Sequence, residues 1–234
     1  MATDRKRHCL EALRMRILRQ DIAPGADLDE AALCAEYGLS RTPMREIFHT
    51  LEGEGYVTRQ GHRGVKVASM DLPTLRTFFQ TAPLVYANIA RLAAENRRDE
   101  EIAPLAAVQA QFRAAAEAGD AGGAALLNHR FHALIGEMAH NPYLLASLNR
   151  MLIDHTRLSH TFYRPRSEDE EARVRRAIDH HDEMIAAIEA REPERAVALT
   201  IDHWQLSRDR LERFVTPDPL PLEVLTHKDR RHAV

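Results

Sequence analysis

Apolar residues recur every three or four positions through most of this chain, the spacing of helices with one buried face. Leu10, Leu13, Ile17 and Leu18 mark such a face over residues 5–20, and Leu33 does so over residues 29–37. Met44, Ile47, Phe48 and Leu51 form a third stripe, in a helix that opens near Arg41, Thr42 and Pro43. Ser40 or Thr42 is placed to cap this helix through its hydroxyl, and Pro43 sits in the first turn, where no intrahelical donor is lost. Gly38 supplies the tight turn before it. Residues 55–60 and 65–67 instead read as two short strands around a Gly-bounded turn at residues 61–64, a small hairpin. The segment between the first two helices, which contains Pro24 and Gly25, reads as a turn. From residue 72 to about 215 the helical period returns in six segments: 72–96, 100–118, 120–139, 142–162, 168–190 and 192–214. Pro83 is expected to kink the first of these or to mark its true start. Pro104 fits an early turn of the next.

The pattern predicts a mostly α protein: an N-terminal winged helix-turn-helix over residues 1–68, then an all-α bundle of six to seven helices over 69–215. A Pro-rich C-terminal tail follows over 216–234. At 234 residues there is enough chain for two modest domains with separate cores. The connection at 67–73 is short, so the two should touch. The formal net charge of −3 argues mildly against a nucleic-acid partner, but the positive charge is local. Arg5, Lys6, Arg7, Arg14, Arg16 and Arg19 crowd the first helix, and Arg41, Arg45, Arg59, Arg63 and Lys66 follow. A local patch suffices to hold phosphates, because fields act over about a Debye length. Cys9 and Cys34 lack metal-type spacing, the N-terminus has no apolar signal region, and no run is suited to span a bilayer. The expectation is a cytoplasmic protein without a membrane partner.

Arg41, Thr42 and Arg45 fall on the solvent side of the third helix at its N-terminal end. Arginine is the side chain best shaped to bond guanine O6 and N7 together. Taken alone, such residues are as well explained by a solvated helix start paired with nearby acids. The order of helix, turn, helix and hairpin decides for a DNA reader. This stretch resembles the GntR superfamily of bacterial transcription regulators, on Pro24-Gly25, Leu28, Leu33, Leu39-Ser-Arg-Thr-Pro, Arg45-Glu46, Leu51, Glu54-Gly55 and Gly64. The resemblance implies that Arg41 and Arg45 read bases beside Pro43, and that Thr42 holds a phosphate or base edge. It implies that Arg5 and Lys6 hold phosphates, and that the wing around His62 and Gly64 enters the minor groove. A basic residue that some relatives use in the second helix corresponds to Ala31. One winged helix contacts a half-site, so a homodimer on double-stranded DNA with a short inverted repeat is expected.

Histidines carry the remaining chemistry. Asn128 and His132 are four apart and share one helix face. His181 lies on the stripe of Val174, Ile178, Ile185 and Ile188, and His203 on that of Leu199 and Leu206. His180 shares a face with Arg173 and Arg176 and is expected to be wetter. Three inward imidazoles on three helices can converge on a divalent ion, zinc or nickel. The plainer reading makes each a core histidine with its own partner. The six-helix segment resembles the FCD ligand-binding domain of the fatty-acid-regulator (FadR) branch. That resemblance carries the family's metal positions onto Asn128, His132, His181 and His203, with Asn128 standing where the family has Asp. Many relatives carry an Arg-x-x-Leu-Glu run in the first helix of this domain. Here Ala82 and Val85-Tyr86 stand at those places, so no effector-binding residue is assigned.

Together these readings predict a transcription regulator, a repressor, whose DNA binding responds to a small carboxylate-bearing metabolite bound next to the metal. Two alternatives stand beside this reading. One is a metal-free acyl-thioester sensor, and the other a metal-dependent hydrolase. No carboxylate stands at motif spacing as a general base, and hydrolysis does not account for the winged helix, so no enzyme is expected.

Overall fold

The structure is a computed structural model and describes residues 2–59 and 64–215. The wing tip, including His62, and the predicted tail from residue 216 lie outside the described residues. Three helices open the chain: α1 (Ala2–Leu18), α2 (Glu30–Tyr37) and α3 (Arg41–Glu54). A small antiparallel sheet accompanies them, built from β1 (Asp27–Leu28), β2 (Val57–Arg59) and β3 (Val65–Val67) in the order β1-β3-β2. The turn expected before α2 therefore also contributes an edge strand. Asp27 pairs with Lys66 and Leu28 with Val65, so the wing is tied to the segment between α1 and α2.

Local chemistry sets these boundaries. Asp29 caps α2 by accepting from the N–H groups of Ala31 and Ala32. Gly38 ends α2 at φ 60°, a left-handed conformation that costs glycine little. Ser40 holds the N-cap position of α3, yet its hydroxyl makes no capping bond, contrary to the expectation for Ser40 or Thr42. The buried face of α3 is Met44, Ile47, Phe48 and Leu51, as its period predicts. It packs in one core with Cys9, Leu13 and Ile17 of α1 and with Val57 and Val65 of the sheet.

Six α-helices follow: α4 (Leu72–Asn96), α5 (Ile102–Glu117), α6 (Ala121–Met138), α7 (Pro142–Phe162), α8 (Glu168–Glu189) and α9 (Pro193–Val215). α4 begins at Leu72 and runs through Pro83, so that proline does not mark its start. Asp71 fixes the start instead by accepting from Thr74 N–H. The main core joins α4 through α9, with Tyr86, Ile89, Leu105, Phe131, Ile135, Leu152, Met184, Ile188 and Trp204 among its members. A second cluster around Phe112, Phe162, Tyr163 and Ile178 ties α5 to α7 and α8.

α7 belongs to both halves of the molecule. Leu148, Leu152 and Leu158 lie in the helical core, whereas Ile153 packs into the N-terminal core. Every residue from Leu152 to His160 is buried, so this stretch has no solvent face. Arg157 donates to the backbone oxygen of Ala68 at 2.7 Å, Gln20 donates to the backbone oxygen of Arg157, and His160 Nε2 lies 2.9 Å from the backbone oxygen of Leu18. Among the described residues, no helix is long and apolar enough to cross a membrane.

Candidate functional site

The N-terminal end of α3 presents Arg41, Thr42 and Arg45 to solvent, with Pro43 partly covered between them. Among the described residues Arg41 makes no ion pair, whereas Arg45 Nε sits 3.4 Å from Glu30. Arg5 Nη1 donates to Gly38 O at 3.0 Å and Lys6 pairs with Glu46 at 2.6 Å, so both brace α1 against the turn and α3. A side chain at Gly38 would crowd Arg5 Nη1 at 3.2 Å. Arg14 and Arg16 are likewise occupied, the first by Glu11 and Glu54 and the second by Glu36. Gly64 stands exposed at φ 95° where β3 begins.

The histidines meet in the helical core. His132 of α6, His181 of α8 and His203 of α9 are buried, and one nitrogen from each lies within 4.8 Å of the others. His132 Nε2, His181 Nε2 and His203 Nδ1 have no hydrogen-bond partner. Asn128, one turn before His132, is 1% exposed, and neither its amide oxygen nor its nitrogen has a partner. Buried polar atoms are rarely left unpaired, because each forfeits its hydration for nothing. Unpaired atoms on four such side chains call for a shared partner.

Protonation agrees with that reading. Burial, and then the neighbouring imidazoles, hold His132 and His181 well below the ordinary histidine range. Burial likewise takes His203 down to about 3. All three are therefore neutral, the form that ligates a metal. Phe131 stacks on His181 with centroids 3.9 Å apart, and the Nδ1 of that ring lies 2.9 Å from Gln109 Oε1. Three unpaired imidazole nitrogens and the unpaired Asn128 amide oxygen fit a divalent ion such as zinc or nickel.

The structure also brings in residues that the pattern did not single out. His155 of α7 lies 5.1 Å from His132, centroid to centroid, and its Nδ1 is 2.8 Å from the Tyr86 hydroxyl. His180 is not wetter, as expected from its face, but 3% exposed, with its ring 5.9 Å from that of His203. α9 covers the face of α8 that carries it. His129 turns away from the cluster to Thr156, 2.7 Å from its Oγ1.

A winged helix-turn-helix followed by a helical bundle with a buried histidine cluster defines a DNA-binding regulator with a sensory domain. Residues 6–67 match the bacterial regulatory proteins of the gntR family, and residues 84–206 match the FCD domain. The chain belongs to the GntR family of transcription regulators, in the group that carries an FCD domain, and these families are regulators rather than enzymes. The galactonate operon transcriptional repressor of Escherichia coli K12 is 25% identical over 73% of this chain and 85% of its own length. The Nta operon transcriptional regulator of Aminobacter aminovorans is 32% identical, over 35% of this chain and 39% of its own length. Among solved structures, E. coli McbR/YncC superposes with a TM-score of 0.75 at 20% identity, covering 90% of this chain and 98% of that one. A GntR regulator from Rhodococcus sp. RHA1 follows at 0.67 and 17%, over 89% and 98%. At these identities the two structures establish the fold alone.

Proposed function

We propose that this regulator is a repressor that binds a short inverted repeat as a homodimer and responds to a small carboxylate-bearing metabolite held beside a divalent metal. The chain divides for this purpose into a reading unit over residues 1–68, a sensing and dimerising unit over 69–215, and a tail from 216. Arg41 and Arg45 read base edges, and Thr42 meets a phosphate or base edge. The first turn of α3 supports this, because Ser40 makes no capping bond there and both guanidiniums are exposed beside it. His62 and Gly64 belong to the wing that enters the minor groove. Arg5 and Lys6 contact phosphate from positions already braced by Gly38 and Glu46.

One observation carries the sensory half. Three buried imidazoles, His132, His181 and His203, meet with one ring nitrogen each unpaired, and Asn128, one turn before His132, leaves its amide atoms without partners. These residues would hold the ion. Bound there, the ion supplies a positive charge that attracts a carboxylate, strengthened where water is excluded. Neutral ligands leave that charge uncompensated, and Asn128 in place of Asp leaves it one unit more positive. The family relationship to a repressor named for a galactonate operon agrees with an acid as effector. A metal-free acyl-thioester sensor is less well supported. It leaves the unpaired atoms of Asn128, His132, His181 and His203 buried without a partner.

The test is elemental analysis by mass spectrometry of the wild type and of the His181→Ala/His203→Ala double variant. The reading predicts a divalent metal in the first and its loss in the second. Equal metal content in both would remove the site.

A further inference from the structure

Asn128, His132, His181 and His203 are each at most 5% exposed, so a cation has no direct way to them from solvent. Much of the wall around them is closed to a hydrated ion. Phe112 and Phe131 lie against His181, with centroids 4.8 and 3.9 Å away, and Tyr86 stands edge-on to His132 at 5.4 Å. His155 is engaged with the Tyr86 hydroxyl, and His129 with Thr156.

One side differs. His180 packs its ring 5.9 Å from that of His203, centroid to centroid, and its Nδ1 has no hydrogen-bond partner. His203 Nδ1 is unpaired as well, so the two neighbouring rings each carry a free nitrogen. The residue before each histidine is an exposed carboxylate, Asp179 on α8 and Asp202 on α9. Both act electrostatically on the His180 ring, as does Glu183 one turn further along α8. Arg176, which opposes them, is engaged by Glu183 at 2.9 Å. Packing does not require an imidazole at this place. An apolar side chain would fill the contact between α8 and α9 without stranding a buried polar atom.

We infer that Asp179, Asp202 and His180 form a transient cation site, the port through which a divalent metal enters and leaves the buried cluster. The inference rests on the metal-binding reading above and adds a route to it. Carboxylates at the surface raise the local concentration of cations. His180 then offers a ligand in place of water part-way in, next to His203, where an unaccompanied charge would be most costly. A ligand that serves only on the way lowers the barrier equally in both directions. His180 therefore governs how fast the cluster loads and empties, not how tightly it holds its ion.

Zinc exchange with a chromophoric chelator, followed by stopped flow on the full-length protein, tests the port. His180→Phe keeps a ring between α8 and α9 and removes both nitrogens. It should slow zinc uptake and release each by about tenfold while leaving the dissociation constant in place. Asp202→Asn, a change at an exposed position, should slow uptake by about threefold and weaken its dependence on salt. Unchanged exchange rates in both variants would overturn the inference and leave the buried site standing. So would a lower affinity at an unchanged uptake rate in His180→Phe, since His180 would then belong to the resting site. Failure of the wild type to bind zinc would instead remove the buried site itself, and the port with it.

Discussion

His181 Nδ1 lies 2.9 Å from Gln109 Oε1, and that contact fixes which nitrogen of the imidazole faces its neighbours. The orientation of the Gln109 amide follows from its other bonds. Its nitrogen donates to Ile178 O at 3.0 Å and to Asp182 at 3.1 Å, so its oxygen must face the ring. An amide oxygen only accepts, and His181 therefore carries its proton on Nδ1 and a lone pair on Nε2, the atom left without a partner. Gln109→Leu should weaken metal binding by about 10–100-fold while His132 and His203 remain in place. Competition against a chromophoric chelator measures this, and an unchanged affinity would show that Gln109 does not orient the ligand.

A second prediction concerns the junction. The Arg157 side chain is fully buried, pairs with Asp154 and bonds Ala68 O, where the winged unit ends. Removing Arg157 leaves the buried Asp154 only its longer pairing with Arg150 at 3.5 Å and leaves Ala68 O without its donor, so Arg157→Ala should cost about 3 kcal/mol in urea unfolding. Arg157→Met combined with Asp154→Leu should recover most of that loss, because both charges then leave together. Equal destabilisation in the single and double variants would mean that packing, not charge, dominates there.

Base reading can be separated from phosphate binding. Arg45→Ala should cost about 1–3 kcal/mol per half-site and relax base preference at one position. Lys6→Ala should lower affinity for specific and random duplexes alike and flatten the salt dependence. Fluorescence anisotropy on both duplexes distinguishes them. Equal loss on the two by Arg45→Ala would remove it as a reader.

Acid should destabilise the metal-free protein. Burial takes His155 and His203 down to about 3, while in the unfolded chain they titrate near the ordinary value of about 6.5. Between these limits the unfolded state binds more protons than the folded one. The stability that these neutral rings contribute is complete above about pH 6.5 and falls away as pH drops towards 3. Chemical unfolding at pH 7.5 and at pH 5 should therefore give a lower stability at pH 5, and equal or greater stability there would contradict the burial argument.

Most of the architecture was legible because its signals are local. The stripe of Met44, Ile47, Phe48 and Leu51 defined α3, and the six later helices followed their own apolar periods with Asp71, Asn141 and Ser167 as caps. His132, His181 and His203 could be read inward from the stripes that carry them. Gln109, His155 and Arg157 could not. From Leu152 to His160, α7 is covered on all sides, so its polar residues break the amphipathic pattern and resemble a wet face. His180 misled for a related reason, since Arg176 on its face stays exposed and Arg173 partly so, while α9 covers the end. The strand at Asp27–Leu28 is two residues long and exists only through pairing with β3, which no local pattern encodes.

X-ray absorption at the metal edge of the purified full-length protein tests the central claim most directly. The account predicts one divalent ion per chain with nitrogen and oxygen neighbours, near about 2.0–2.1 Å if the ion is zinc, and outer-shell scattering from about three imidazole rings. That imidazole signal should disappear in the His181→Ala/His203→Ala variant. A sulfur-dominated shell, scattering without imidazole, or protein that binds no ion when divalent metal is supplied would contradict it.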